Sequence, residues 1–411
     1  MPSEGSFSAP PPRAARVPRG LVLALAGSPL GAVGAMFFAF GIGLGFWSGA
    51  SATILLRVGV GASAYGAALT LFTGAYLLAM SSAGALARRF GVKRVLLGAA
   101  LGMGPILGLA LVAGDVVALF AELTVYGFFA GLVDLTMNAA GARIERGLGR
   151  PILARLHGGA SAGIAIGAVA GGLIAASAAP WAASLVVVAA MACASALVAS
   201  AVRDEPSARV GAVSVERAGL LSRTLVVVGL VIGVSIACES AAMSWAALIL
   251  QREAPQSAAL AGLGAAFFAA CQASLRFNAD RLRARVDDRA LIVASLGVAA
   301  AGFLVVAAHA GFFVSVFGFA VIGFGTGAVV PCGFALAASR PGVSAAAGLS
   351  VAAFFGSFAR LPAPLVTGAL ADAFSLSAAF ALFAGLLALG VAATLVFIPS
   401  QAHAPRRAPV P

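Results

Sequence analysis

Residues 84–94 read Gly84-Ala-Leu86-Ala-Arg88-Arg89-Phe-Gly91-Val-Lys93-Arg94, a short run with four basic side chains and two glycines set between two long apolar stretches. The arrangement recurs along the chain. Arg143, Arg146, Arg150 and Arg155 share a later gap; Arg203, Arg209, Arg217 and Arg223 share another. Arg276, Arg281, Arg283, Arg285 and Arg289 surround a further gap, and Arg340 follows. Arg13, Arg16 and Arg19 precede the first apolar stretch, and Arg406 and Arg407 follow the last. Of 26 Lys and Arg, only Arg57, Arg252 and Arg360 depart from a rule that puts basic residues in every second gap.

The stretches between those gaps are too apolar for a soluble domain. Hydrophobic residues make up 61% of the chain and charged ones 10%, with a mean hydropathy of +1.05, which is the composition of a polytopic membrane protein. A helix needs about 20 apolar residues to cross the hydrocarbon core. Charge-poor runs of that length lie near 30–53, 62–86, 94–113, 116–141, 156–178, 180–202, 224–250, 256–278, 289–308, 311–337, 344–371 and 375–398. Twelve spans place both termini on one side. Since short cytoplasmic loops concentrate Lys and Arg, the expected location is a bacterial-type inner membrane, multi-pass, with both termini in the cytoplasm. The net charge of +12 therefore speaks of orientation in a lipid bilayer, and no nucleic-acid partner is expected.

The arginines before Leu21 to Ala26 imitate the start of a secretory signal, but the uncharged run continues through Pro29 to Leu56. That is too long for a signal's apolar region, so cleavage is not expected. Residues 1–19, rich in Pro and Ser, read as a disordered cytoplasmic tail, and 399–411 as a second tail. Cys193, Cys238, Cys271 and Cys332 all fall within spans without CxxC spacing and read as buried free thiols.

Residues 203–223 form the longest internal polar stretch, with six spans on either side. The expected organisation is an N-terminal bundle over 20–202, a cytoplasmic central loop over 203–223 and a C-terminal bundle over 224–398. The basic cluster after the second span of the first half returns after the second span of the second half, at 276–285. Paired halves of this kind place a solute site near the midplane between them. The fold class is thus all-α, with twelve transmembrane helices in two pseudo-symmetric six-helix bundles.

The two repeated loops resemble the marker of the major facilitator superfamily, Gly-x-Leu-Ala-Asp-Arg-x-Gly-Arg-Lys between spans 2 and 3. Gly84, Leu86, Ala87, Arg89 and Gly91 match it, while Arg88 stands where the family has its acid. The resemblance implies a cytoplasmic latch between the halves, so Arg88 removes the first-half acid and leaves Asp280, in Arg276-Phe-Asn278-Ala-Asp280-Arg281-Leu-Arg283, as the surviving latch candidate. Gly84, Arg88, Arg89, Gly91, Arg276, Asp280 and Arg281 are accordingly read as gate-loop residues; a solvated loop that serves topology alone is the other reading. Gly131-Leu-Val-Asp134-Leu-Thr-Met-Asn138, Gly149-Arg150-Pro151, His157-Gly158-Gly159, Cys238-Glu239 and Ser244-Trp245 are similar to the bacterial branch that includes fucose-permease-like carriers.

Among fourteen acids, Glu122, Asp134 and Glu239 lie well inside spans, joined by one base, Arg360. Each costs about 2.5–3.5 kcal/mol at the bilayer centre and so needs a partner or a watered cavity. Glu122 lies about 9 Å to the outer side of the middle of span 4 and Asp134 about 9 Å to the inner side, and twelve residues turn the helix by about 120°, so both cannot face one cavity. Glu122 shares a stripe with Tyr126 and is the favoured proton-coupling acid, in agreement with what the fucose-permease resemblance implies for this helix. Asp134 is the second candidate, bonded near Asn138 with His157 as a partner. Glu239 and Arg360, on spans 7 and 11, can form a solute clamp or a mutually neutralising pair. Trp47, Trp245, Gln272 and Asn138 complete the expected solute site, and either tryptophan can instead be an interface anchor.

Gly159, Gly163, Gly167 and Gly171 recur every fourth residue on span 5, a stripe for close helix packing. Gly163-Ile-Ala-Ile-Gly167-Ala168-Val-Ala-Gly171-Gly172 also resembles the antiporter motif of drug exporters, with Ala168 in place of its proline. No P-loop, zinc spacing or GxSxG elbow is present. An enzyme, a metal site and a cofactor are not expected. The expected function is a monomeric secondary carrier of a small polar organic solute, a sugar or a carboxylated metabolite, coupled to protons. Export of amphipathic compounds and a transport-inactive sensor of the same fold are the alternatives.

Overall fold

The computed structural model describes residues 27–177, 179, 181–203 and 222–400. The expected tails, and all but the edges of the central loop 203–223, lie outside the described residues. The first half holds α1 (Pro29–Val58), α2 (Ala62–Phe90), α3 (Val92–Leu111), α4 (Val116–Leu148), α5 (Leu153–Ala175) and α6 (Trp181–Ala201). The second holds α7 (Arg223–Glu253), α8 (Leu263–Arg283), α9 (Asp288–Ala307), α10 (Phe312–Thr326), α11 (Val329–Ala338), α12 (Ala345–Arg360), α13 (Ala363–Ala373) and α14 (Leu376–Phe397). Twelve segments among the described residues are long and apolar enough to cross a membrane, because α10 with α11 and α12 with α13 each make one span.

Local sequence sets the ends and breaks of these helices. Ser28, Asp115, Ser222, Ser344 and Ser375 each accept a backbone N–H as N-cap, at the starts of α1, α4, α7, α12 and α14, which satisfies donors that the helix itself cannot. Gly91 alone joins α2 to α3 at φ 88°, a conformation costly for any residue with a Cβ. Pro331 near the start of α11, and Pro362 between α12 and α13, lack the N–H that a continuous helix would use and clash with the preceding turn. Spans 10 and 11 break at those points.

Helix pairing repeats between halves. α1 packs on α5 as α7 packs on α12, α2 on α4 as α8 on α10, α3 on α4 as α9 on α10, and α3 on α6 as α9 on α14. Contacts across the seam obey the same two-fold relation: α1 meets α7, and α5–α8 is matched by α2–α13.

The end of the bundle that bears Gly91, the 149–152 turn and the 284–287 turn is here termed the basic end. Close contacts across the seam run from the basic side, where a Cβ on Gly158 would lie 2.7 Å from the Phe277 ring, to the opposite end. A Cβ on Gly66 would lie 2.5 Å from the Pro364 carbonyl oxygen, and one on Gly262 would collide with the Ala168 carbonyl. Asp372 on α13 accepts the Ser63 backbone N–H at 2.8 Å; Gly61, the N-cap residue of α2, offers no side chain, so the other half supplies the cap.

Three expectations need correction. Cys193 is exposed on the outer surface of α6, while Cys238 and Cys332 are buried and Cys271 is intermediate. Gly163, Gly167 and Gly171 do pack, their added Cβ atoms falling 2.2–2.5 Å from the carbonyl oxygens of Phe38, Ile42 and Phe46 on α1, but Gly159 has open space. Arg57, off the charge rule, donates to the carbonyls of Leu111 and Ala113 at 3.0 and 3.2 Å. It closes the C-terminus of α3, where a cation is favoured.

Candidate functional site

A cavity of about 160 Å³ lies at the seam. α1 contributes Phe40, Leu44, Trp47 and Ser48, α2 contributes Leu69, Phe72, Thr73 and Tyr76, and α4 contributes Leu123 and Tyr126. The second half adds Ser240, Ser244 and Trp245 from α7, Arg360 at the end of α12, and Pro364 and Thr367 of α13.

Towards the opposite end the cavity is capped by aromatics. Tyr65 lies between Trp47 and Trp245, with ring centroids at 6.4 and 5.1 Å. Trp47 Nε1 donates to the Tyr65 hydroxyl at 3.3 Å, and that hydroxyl donates to the Ser244 carbonyl at 3.2 Å. The last bond joins the two halves.

Two polar networks flank the cavity. In the first, the Arg360 guanidinium sits 4.7 Å over the Tyr76 ring, Tyr76 donates its hydroxyl proton to Asp134 Oδ2, and Asn138 Nδ2 donates to Asp134 Oδ1 at 3.0 Å. His157 Nε2 then meets Asn138 Oδ1 at 3.0 Å, a contact that requires the Nε2–H tautomer. In the second, Glu239 Oε2 pairs with Arg276 Nη2 at 3.1 Å. Arg276 Nη1 donates to Ser161 Oγ at 3.0 Å, Ser161 donates to Gln272 Oε1 at 3.1 Å, and Gln272 Nε2 donates to Thr326 Oγ1 at 3.3 Å. This bridge ties α5 to α8 across the seam.

The geometry redistributes the expected site residues. Trp47, Trp245 and Arg360 line the cavity. Glu239 pairs with Arg276 and not with Arg360, because α8 continues to Arg283 and carries Arg276 nearly two turns inside the helix, away from any loop. Arg276 is therefore not a gate-loop residue. Gln272 is buried and engaged by Ser161 and Thr326, outside the cavity lining, and Asn138 bridges Asp134 to His157. Glu122 does not line the cavity, whereas its neighbours Leu123 and Tyr126 do. Sequence reading missed Tyr65, Tyr76, Ser161, Tyr126 and Asp372. Polar groups placed mid-span are the signal that could have found the tyrosines.

Chains of similar sequence are transporters where their names say what they are. The chain is 26% identical over 365 residues to an MFS-type transporter of Yersinia pestis, covering 87% of this chain and 92% of that one. It is 27% identical over 382 residues to a transporter of Sinorhizobium fredii (88% and 97%), and 27% over 378 residues to the membrane protein MosC of Rhizobium meliloti (92% and 91%). No protein-family model matches the chain. Among solved structures, a mutant form of the nucleoside transporter NupG superposes with a TM-score of 0.73 at 12% identity, over 90% of this chain and 99% of that one. A bacterial homologue of the human lysosomal transporter Spinster, inward-facing and occupied, superposes with a TM-score of 0.66 at 13% identity, over 93% and 97%. The chain has the fold of these transporters and is similar in sequence to an MFS-type transporter.

The loop that resembles the superfamily marker is at the basic end, with Arg88 and Arg89 exposed and Arg89 5.2 Å over the Phe90 ring. In the second copy, Arg283 makes a two-point pair with Asp288, at 2.7 and 3.1 Å. That pair lies within the second half and does not join the halves, while Arg281 bonds Asn278 at 3.2 Å. Several of the superfamily loops' cations also close helix ends: Lys93 donates to the Ala199 carbonyl at 2.7 Å and Arg289 to that of Leu395 at 2.7 Å.

Proposed function

We propose that this transporter is a secondary carrier that moves a small polar organic solute across a bacterial inner membrane by alternating access, with proton coupling and with its basic end in the cytoplasm. The observation behind this reading is a cavity at the seam, beside Tyr65–Ser244 and Ser63–Asp372 contacts that join two halves that pair alike. Exchange between a state in which the seam opens at one end and a state in which it opens at the other is what moves a solute past a fixed site. A cavity of about 160 Å³ falls below the roughly 300 Å³ at which sites for drug-sized ligands begin, which supports a small solute.

The aromatic upper wall also suits an amphipathic compound moving outward. Uptake of a broad solute panel into right-side-out and inside-out vesicles, under an imposed pH gradient, separates the two directions. Accumulation of a solute in one orientation is the expected result. If no solute moves in either, the carrier reading fails and a sensor of this fold takes its place.

A further inference from the structure

We propose that the solute is a small monoanion with a flat apolar body, that Arg360 binds its charged group, and that Asp134 takes up one proton for each anion bound. This deepens the carrier reading above and rests on it.

The argument is one of charge balance in the middle layer of the bundle. Two cations, Arg276 and Arg360, and two acids, Glu239 and Asp134, belong to the networks beside the cavity; Glu122, the third acid inside a span, is outside the cavity lining. Arg276 and Glu239 are directly paired and cancel. Arg360 makes no ion pair among the described residues; Tyr76, whose ring it covers, holds Asp134 by its hydroxyl, and both Asp134 and Glu239 feel its charge. Arg360 Nε and the Tyr126 hydroxyl are buried without a hydrogen-bond partner in the protein, and both residues line the cavity. A guanidinium presents its N–H groups in a planar fork that fits a carboxylate at two points. A solute carboxylate on Arg360 is the direct partner that the protein withholds, while Phe40, Phe72 and the two tryptophans suit an apolar ring beside it.

Four states of the pair then follow. With the cavity empty and Asp134 ionised, Arg360 and Asp134 cancel. With the anion bound and Asp134 protonated, Arg360 and the anion cancel. The two mixed states each leave one net charge in a medium that opposes it. Only the balanced states can rock at low cost, so anion and proton travel together, one to one. No bond of the solute breaks; a hydronium ion from the bulk gives its proton to an Asp134 carboxylate oxygen and leaves as water, and Tyr76, which holds Asp134 by its hydroxyl and Arg360 by its ring, links the two sites. The groups that face Asp134 are Tyr76 from α2, Arg360 from α12 and, through Asn138, His157 from α5, which feels Arg276 of α8. Glu122 lies away from the cavity and enters none of these states.

The test uses two matched triples on the full-length protein in detergent: benzoate, benzamide and benzylamine, and gluconate, glucose and glucosamine. Trp47 and Trp245 report binding by fluorescence, and an indicator dye reports proton uptake. Benzoate should bind about tenfold more tightly than benzamide, with uptake of about one proton per site, and acidification should tighten it by a similar factor through reciprocal linkage; an acid preference in the gluconate triple alone overturns the flat apolar body. Asp134→Asn should bind the anion without proton uptake. Arg360→Gln should lose the preference for the acid and Arg360→Lys should keep it at lower affinity, which separates loss of charge from loss of fold. Equal binding of acid and amide, or an acid preference that survives in Arg360→Gln, overturns the anion assignment. Proton uptake that survives in Asp134→Asn overturns the coupling. If neutral or cationic members bind and exchange in proteoliposomes while the acids do not, the carrier reading stands and this one falls; if none of the six binds or exchanges, both fall.

Discussion

The pair α1–α5 and its symmetry mate, α7 with α12 and α13, start from the same place in the fold and are built differently. α1 and α5 interlock by glycines from both sides. Gly41, Gly45 and Gly49 meet the carbonyls of Ala160, Ile164 and Ala168, and Gly163, Gly167 and Gly171 return the contact. Backbone lies on backbone along the whole length. Between α7 and α12 the comparable approaches are those of Gly229 and Gly233, against Ala352, Phe355 and Gly356, and the partner helix then breaks at Leu361–Pro362. Within its membrane window α1 is 61% buried and the α12–α13 span 11%. The first half reads as a fixed frame, and the broken span, which carries Arg360 at its joint, as the part free to re-aim.

The largest effect should come from breaking the frame. Gly45→Ala or Gly167→Ala puts a Cβ 2.2–2.3 Å from a carbonyl oxygen that cannot rotate away. Overpacking of this kind typically costs about 1–3 kcal/mol, and here the upper end or beyond is expected. Gly229→Ala, whose nearest neighbour is the Phe355 Cβ at 2.8 Å, should cost less, and Gly159→Ala, with open space, should stay within about 0.5 kcal/mol. Thermal unfolding in detergent ranks the three; equal losses would mean that the halves do not differ in stiffness.

The joint comes next. Pro362→Ala restores a backbone N–H and removes a ring that costs a continuous helix about 3 kcal/mol. Span 11 should straighten, so transport should fall by about tenfold for each 1.4 kcal/mol by which one state is trapped, with no loss of thermal stability. A variant that both unfolds and stops transporting would assign Pro362 to the frame.

A smaller effect is expected at the end opposite the basic one. Asp372→Ala removes the cap of α2, worth about 1 kcal/mol, and so should raise the population open at that end about fivefold, as read by labelling of a cysteine placed in the cavity. The smallest effect tests the two acids of α4 against each other. Glu122→Gln should leave gradient-driven accumulation unchanged, and its loss would return the coupling role to Glu122.

Much of this was legible before any coordinates. Basic residues in alternate gaps gave twelve spans, because hydropathy and loop charge are both one-dimensional signals that a membrane imposes directly. Pro331 and Pro362 break spans 10 and 11 at points that hydropathy alone passes over. Partner choice was not legible. Arg276 grouped naturally with Arg281 and Arg283, yet two turns of helix separate a loop cation from a buried one. Which of two arginines meets Glu239 depends on the azimuth of three helices, and sequence spacing fixes azimuth only within one helix. The same limit hid Tyr76, whose importance comes from having Asp134 on one side and Arg360 on the other.

The cap that Asp372 lends to α2 has a consequence for how the cycle can be timed. The Ser63 amide is bonded to a carboxylate of the other half and loses that bond whenever the seam parts there. Its exchange with deuterated water is therefore a built-in clock. In the closed state the amide should exchange slowly, and each opening should expose it once, so a single peptide's isotope uptake would count gate openings without label, solute or mutation.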